Sequence, residues 1–226
     1  MSQRPRGLWY RRGVVIRNVI LDWSGTLVDD LMPVVKTTNH VLESCGLPPM
    51  TLPEFRAEFC LPIRKFYEHR VTNVPQAKLE EMFLTEYPKH HAEITLLPQT
   101  LDFLRFCQGR QMGVYIASTV DRHTYETQMV RFGIGEFITK PYIGIEDKTS
   151  KIHHILDENR LNREETMFVG DMEHDIEAGK AGGIHTCAVL TGYNHLDKLR
   201  AMKPDVICNH LGELQEFLAE GEVVHG

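Results

Sequence analysis

Short, nearly continuous apolar runs recur along this chain at residues 19–21, 112–117, 167–169, 184–190 and 205–207. Runs without polar alternation are the pattern of strands covered on both faces, as in a parallel sheet. Between them the apolar spacing changes to three and four. Leu31, Val34, Val35, Thr38, Val41 and Leu42 form one such stripe, ended by Gly46 and Pro48, which predicts an amphipathic helix. Thr51 with Glu54 three residues on predicts a capped helix start, and helices are expected over 55–67 and 76–91. No strand is expected between Asp30 and Leu96.

Beyond Leu96 the two patterns alternate. Pro98 opens a helix over 99–108, another spans 123–132 and closes at Gly133, and further helices cover 150–159, 176–181 and 211–218. Residues 137–138 and 142–143 are short strand candidates on either side of Pro141. Strands alternating with helices predict an α/β fold, a doubly wound parallel sheet with a small helical cap domain inserted after the first strand. The boundaries read as 16–29 and 96–226 for the sheet core and 30–95 for the cap. Residues 1–15, with Arg4, Arg6, Arg11 and Arg12, read as a disordered basic tail.

Composition narrows the function classes. The 226 residues carry a formal net charge of −6, which argues against a nucleic-acid binder, since those usually present a basic surface. The five cysteines share no CxxC spacing and read as reduced thiols, so a cytoplasmic location is expected. No apolar run reaches the length of about 20 residues that a membrane helix needs, and no membrane partner is expected.

The candidate chemistry lies at the strand ends. Three apolar runs stop at hydrophilic residues, at Asp22, at Ser118-Thr119 and at Gly170-Asp171, and Lys148 lies just before the helix over 150–159. Parallel strands present their carboxyl ends on one edge, so these residues can converge despite their distance in sequence. Two carboxylates brought together repel unless they share a cation, and an oxygen-rich site of this kind suits Mg²⁺. Lys148 beside a hydroxyl would suit an anion such as phosphate.

Order, spacing and strand context together identify the chain as a member of the haloacid dehalogenase superfamily, which it resembles from about Arg17 onward. Asp22, Gly25 and Thr26 match the first motif, Ser118 the second, and Gly170, Asp171 and Asp175 the fourth. The third-motif lysine matches Lys148, 23 residues before Asp171; Lys151 is the alternative and reads as a solvated helix lysine. A helical insertion straight after the first motif resembles the cap of phosphoglycolate-phosphatase-like members. The resemblance implies a Mg²⁺-dependent phosphatase acting on a small phosphorylated metabolite. It implies Asp22 as nucleophile forming an aspartyl-phosphate, with Ser118 and Lys148 assisting. It also implies phosphate contacts from Ser24, Thr26, Ser118, Thr119 and Lys148. The implied metal group is Asp22, the Ser24 backbone carbonyl, Asp171 and, less directly, Asp175.

Ser24 departs from the family's pattern. In its phosphatases that position is a second Asp, which protonates the leaving oxygen and then activates water; a serine hydroxyl is a poor acid or base near neutrality. Three readings follow. The chain is a phosphatase, slowed or using a substitute such as Asp29, Asp30 or a cap histidine. Or it resembles phosphonoacetaldehyde hydrolase, whose first motif often reads Asp-Trp-Ala-Gly-Thr and whose cap lysine forms a Schiff base, with Lys65 in roughly that region. Or it binds phosphate as a regulatory protein without turnover.

Other features carry less. The pairs His90-His91 and His153-His154 point in different directions on a helix and read as exposed. His174, inside the fourth motif, could reach the phosphate but reads rather as a solvent-facing loop residue. Arg56, Arg64, Lys65 and Arg70 form a basic cluster on the cap, read as a solvated face or a seat for a second anionic group. Neither the substrate nor the oligomeric state can be read from the sequence.

Overall fold

The computed structural model describes residues 15–61 and 63–220. The basic tail expected over 1–15 therefore lies, apart from Val15, outside the described residues. Six strands form one parallel sheet: β1 (Asn18–Leu21), β4 (Gly113–Ser118), β5 (Lys140–Ile143), β6 (Thr166–Gly170), β7 (His185–Val189) and β8 (Val206–Cys208), in the order β5-β4-β1-β6-β7-β8. The first strand in sequence is thus central. Alternate side chains leave it on opposite faces. Val19, Leu21, Val114, Ile116, Met167 and Val169 enter one apolar cluster together with Phe103 and Leu104 of α5 (Thr100–Gly109) and Leu211 and Leu214 of α10 (Leu211–Glu220). Ile20, Tyr115, Ala117 and Phe168 enter another with Ile152, Ile155 and Leu156 of α7 (Lys148–Glu158) and Ala178 of α8 (Glu173–Ala181). Helices thus cover both faces, as the unbroken apolar runs require.

The insertion is helical: α1 (Leu31–Ser44), α2 (Leu52–Glu58), α3 (Ile63–Arg70), α4 (Gln76–Glu86) and a 3₁₀ turn over Tyr87–Glu93. Thr51 and Glu54 form the expected capping box at the start of α2. Two expectations are corrected. The helix expected over 55–67 is interrupted after Glu58, because the residue before a proline, here Leu61, is disfavoured in the helical region. The helix expected to reach His91 tightens to 3₁₀ at Tyr87, where Pro88 has no N–H to continue the ladder. The insertion has its own apolar cluster, built on Phe55, Phe59, Phe66, Tyr67 and Leu79. It meets the core at two short strands missed in the sequence, β2 (Val28–Asp29) and β3 (Thr95–Leu96), which pair antiparallel with Val28 opposite Leu96.

The two strand candidates around Pro141 are also corrected. Residues 135–137 form a 3₁₀ turn, and Pro141 lies inside the single strand β5. That strand is at the sheet's edge, where proline is tolerated. All five cysteines are free. Among the described residues no helix is long and apolar enough to cross a membrane.

Candidate active site

Leu21 is level with Ile116 on one neighbouring strand and with Val169 on the other. Ser118 and Asp171 therefore flank Asp22 on either side, each one residue further toward the carboxyl edge. Immediately after Asp22 the backbone folds into a compact turn: the Trp23 carbonyl accepts N–H bonds from Leu27 at 2.9 Å and Val28 at 3.0 Å, and Gly25 sits at φ +74°. A Cβ on Gly25 would fall 2.5 Å from Asp171 Oδ2. Only glycine lets this turn lie against that carboxylate.

Asp22, Asp171 and Asp175 converge, with ligand oxygens all within 4.8 Å of one another and all three side chains buried. Lys148 enters from the start of α7, its Nζ 2.7 Å from Asp22 Oδ1 and 2.7 Å from Asp175 Oδ1. Among the described residues the Lys148 ammonium is the one group set against Asp22 Oδ1, which is otherwise buried without a partner. Asp175 Oδ2 accepts the Met172 N–H at 3.0 Å. A Cβ on Gly170 would lie 2.3 Å from the Asp175 carboxyl, which explains the glycine before Asp171. Asp171 Oδ1 accepts from the Thr26 hydroxyl at 3.1 Å and Oδ2 from the Tyr193 N–H at 2.7 Å.

Burial and crowding set the protonation of this cluster. Burial raises the Asp171 carboxyl well above its ordinary value, and the Asp22 and Asp175 charges push the same way. Asp22 and Asp175 are also raised by burial, against the pull of Lys148. Burial alone would lower Lys148, but the Asp175 and Asp22 charges outweigh it and the ammonium is held charged. Three carboxylates facing one ammonium leave an excess of negative charge. Such a buried acidic cluster fits a divalent cation, which Asp22 and Asp171 would hold.

The remaining expected residues divide. Ser118 is buried at the end of β4, its hydroxyl accepting the Val120 N–H at 3.3 Å, while Thr119 is exposed. Thr26 is fully buried and its hydroxyl is committed to Asp171. Ser24 is half-buried, and its side chain hydrogen-bonds Asp30. Asp30 also accepts from Tyr193 Oη at 2.8 Å; burial pushes its carboxyl up to about 6, against these two bonds. Lys151 lies along α7, near the Tyr142 ring and away from the carboxylates.

His174 is not on a solvent-facing loop. It occupies the first turn of α8 with Nε2 3.4 Å from Asp175 Oδ1 and buried without a hydrogen-bond partner. Burial, then the Lys148 charge, pushes its imidazole down to about 3. His90 and His91 are half-buried, and His90 Nδ1 lies 3.0 Å from Glu93. The basic cluster is not one patch. Arg56 Nε donates to the Gly192 carbonyl at 2.9 Å and Arg70 Nε to Glu58 at 2.7 Å, while Arg64 and Lys65 point to solvent.

Sequence reasoning missed the segment Thr191-Gly192-Tyr193. It follows β7 at the same carboxyl edge, and the rule that singled out the other strand ends would have found it.

The sequence profile of the haloacid dehalogenase-like hydrolases matches residues 19–189. The chain belongs to this family. It is similar to the pyrophosphatase PpaX of Oceanobacillus iheyensis, 25% identical over 213 residues that cover 88% of this chain and 95% of that one. It is also similar to a phosphoglycolate phosphatase of Synechococcus elongatus, 26% identical over 206 residues covering 89% and 97%. In fold it matches a haloacid dehalogenase-like family hydrolase from Streptococcus pneumoniae with a TM-score of 0.78, covering 89% of this chain and 98% of that one at 22% identity. The doubly wound sheet and the inserted helices are thus those of an enzyme family of hydrolases.

Proposed function

We propose that this hydrolase is a Mg²⁺-dependent phosphatase of a small phosphorylated metabolite, phosphoglycolate-like in size, with residues 30–95 acting as its cap. The observation that carries the reading is Lys148 Nζ placed 2.7 Å from both Asp22 and Asp175, with Asp171 alongside. A phosphoryl group is recognised by that ammonium and by the Ser118 hydroxyl. Mg²⁺, which Asp22 and Asp171 would hold, would supply positive charge that offsets the repulsion between a carboxylate nucleophile and an anionic phosphoryl group. Asp22 attacks phosphorus to form an aspartyl-phosphate as the ester oxygen departs. Water then attacks phosphorus, releasing orthophosphate and restoring the Asp22 carboxylate.

The departing oxygen needs a proton that Ser24 alone cannot supply. Asp30 is the substitute this reading favours over Asp29, because the Asp30 carboxyl hydrogen-bonds the Ser24 side chain. The proton passes from Asp30 through the Ser24 hydroxyl to the leaving oxygen, and the attacking water returns one by the same route. The phosphonoacetaldehyde-hydrolase reading is less well supported: a Schiff-base lysine is activated by desolvation, and Lys65 is exposed on α3.

The test is release of orthophosphate from phosphoglycolate and p-nitrophenyl phosphate with and without Mg²⁺. Release that requires Mg²⁺ and disappears in Asp22→Asn is expected. No release from any phosphomonoester, or acetaldehyde release from phosphonoacetaldehyde that is lost in Lys65→Ala, would overturn the reading.

A further inference from the structure

The segment after β7 is held from two sides. On the core side, the Thr191 hydroxyl donates to the Gly25 carbonyl at 2.6 Å, Asn194 Oδ1 accepts the Glu173 N–H at 3.0 Å, and the Tyr193 N–H reaches Asp171 Oδ2 at 2.7 Å. On the helical side, Arg56 of α2 donates to the Gly192 carbonyl at 2.9 Å. The Tyr193 ring lies 5.1 Å from Phe59 and 6.2 Å from Phe55 between ring centres, and is almost fully buried within the insertion's apolar cluster. Met172, the residue after Asp171, enters the same cluster.

Asp171 is therefore bracketed by two residues, one following it in sequence and one bonded to its carboxylate, whose side chains belong to the insertion's core. Gly192 allows this bracket, since a Cβ there would stand 2.0 Å from Asp171 Oδ2. The insertion also meets the core where Lys198 Nζ donates to the Phe59 carbonyl at 3.4 Å and Arg131 to the His91 and Ala92 carbonyls at 2.6 and 3.1 Å, but it has its own apolar cluster and joins the sheet through two chain crossings at β2 and β3. Relative motion is the default for units so joined. If the insertion moves off the sheet, Gly192 loses its Arg56 donor and Tyr193 its aromatic seat, while the backbone that carries the Asp171 bond is released on one side.

We propose that Arg56 and Tyr193 are positioning residues that couple docking of the helical insertion to the orientation of Asp171, so that the docked form binds a divalent cation more tightly than the undocked form. The coupling is reciprocal: cation bound at Asp171 favours docking, and whatever holds the insertion down favours the cation. The proposal rests on the cation site of the preceding reading, but not on turnover or on the identity of the substrate.

The experiment is calorimetric titration of Mg²⁺ into the full chain and into Arg56→Ala, Arg56→Lys and Arg70→Ala. Arg56 touches none of the carboxylates, and loss of its positive charge would by itself favour a cation, so a weakening of Mg²⁺ must pass through the Gly192-Tyr193 segment. Expected are affinity about five-fold or more weaker in Arg56→Ala, recovery in Arg56→Lys, which keeps a donor, and no change in Arg70→Ala, which loses only its pair with Glu58 inside the insertion. Metal-free melting temperatures identify any variant whose loss is one of folding; for such a variant, Tyr193→Phe, which keeps the ring but not the Asp30 bond, supplies the comparison and is expected to weaken Mg²⁺ in the same direction. Mg²⁺ affinity indifferent to Arg56→Ala overturns the coupling alone. No Mg²⁺ binding by the unaltered chain overturns the cation site, and the coupling with it.

Discussion

Lys148 Nζ stands 2.7 Å from Asp175 Oδ1, and neither side chain has appreciable access to water. The same ammonium faces Asp22 at 2.7 Å, so one cation offsets two buried carboxylates. Removing one partner of a buried pair leaves an uncompensated charge and costs about 3–5 kcal/mol. Lys148→Met is therefore expected to destabilise the metal-free chain by that order at pH 8, and Mg²⁺ to recover part of the loss. Denaturant unfolding with and without Mg²⁺ measures both.

Gly192→Ala places a methyl group 2.0 Å from Asp171 Oδ2 and 2.8 Å from the Gly25 Cα. Neither neighbour can yield without disturbing the acidic cluster. The expected cost is about 1–3 kcal/mol of stability, with weakened Mg²⁺ binding, read from unfolding curves and calorimetry on one preparation.

Asp30→Asn keeps the shape of the side chain but removes its proton exchange with Ser24. General acid–base help is worth about 10²–10⁴-fold, so turnover of p-nitrophenyl phosphate is expected to fall by about 10²-fold while KM changes little. Ser24→Asp supplies a carboxyl at the position where the family's phosphatases carry one. In the Asp30→Asn background it is expected to restore turnover, and failure to do so would count against the Ser24–Asp30 route.

Asp30 and His174 give stability opposite dependences on pH. The Asp30 carboxyl, raised to about 6 in the fold against an ordinary 3.8, binds a proton that the unfolded chain does not hold over that interval. Its contribution grows as pH falls from about 6 to about 4, by up to about 3 kcal/mol. The His174 imidazole, lowered to about 3 from an ordinary 6.5, stays neutral while the unfolded chain takes up a proton. Its contribution is present above pH 6.5 and is lost as pH falls toward 3. In metal-free unfolding between pH 4 and 7.5, Asp30→Asn is expected to remove the first trend and His174→Asn the second.

The sheet and the edge where the candidate residues gather were legible because both depend on local patterns. A strand buried on two faces needs an unbroken apolar run, and Val19–Leu21 and Met167–Val169 supply it. Where such a run stops at Asp22, Ser118 or Asp171, the carboxyl edge of a parallel sheet follows from chain direction alone. The Thr51–Glu54 cap was equally local, since its partners are three residues apart. The two-residue strands β2 and β3 were not legible, because they exist only as each other's partner across the insertion.

The amino-acid sequence by itself determined which residues could reach one rim of the sheet: an aspartate, a serine and a glycine–aspartate at strand ends, and a lysine at a helix start. Only the tertiary structure decided which groups are paired, buried or left without a donor. His174 faces the acidic cluster because α8 begins against it, Thr26 is committed to Asp171 by a turn around Gly25, and Tyr193 joins Asp171 to the helical insertion across 22 residues of chain. Desolvation and long-range contact set those outcomes, and neither has a period or a spacing that a linear pattern can carry.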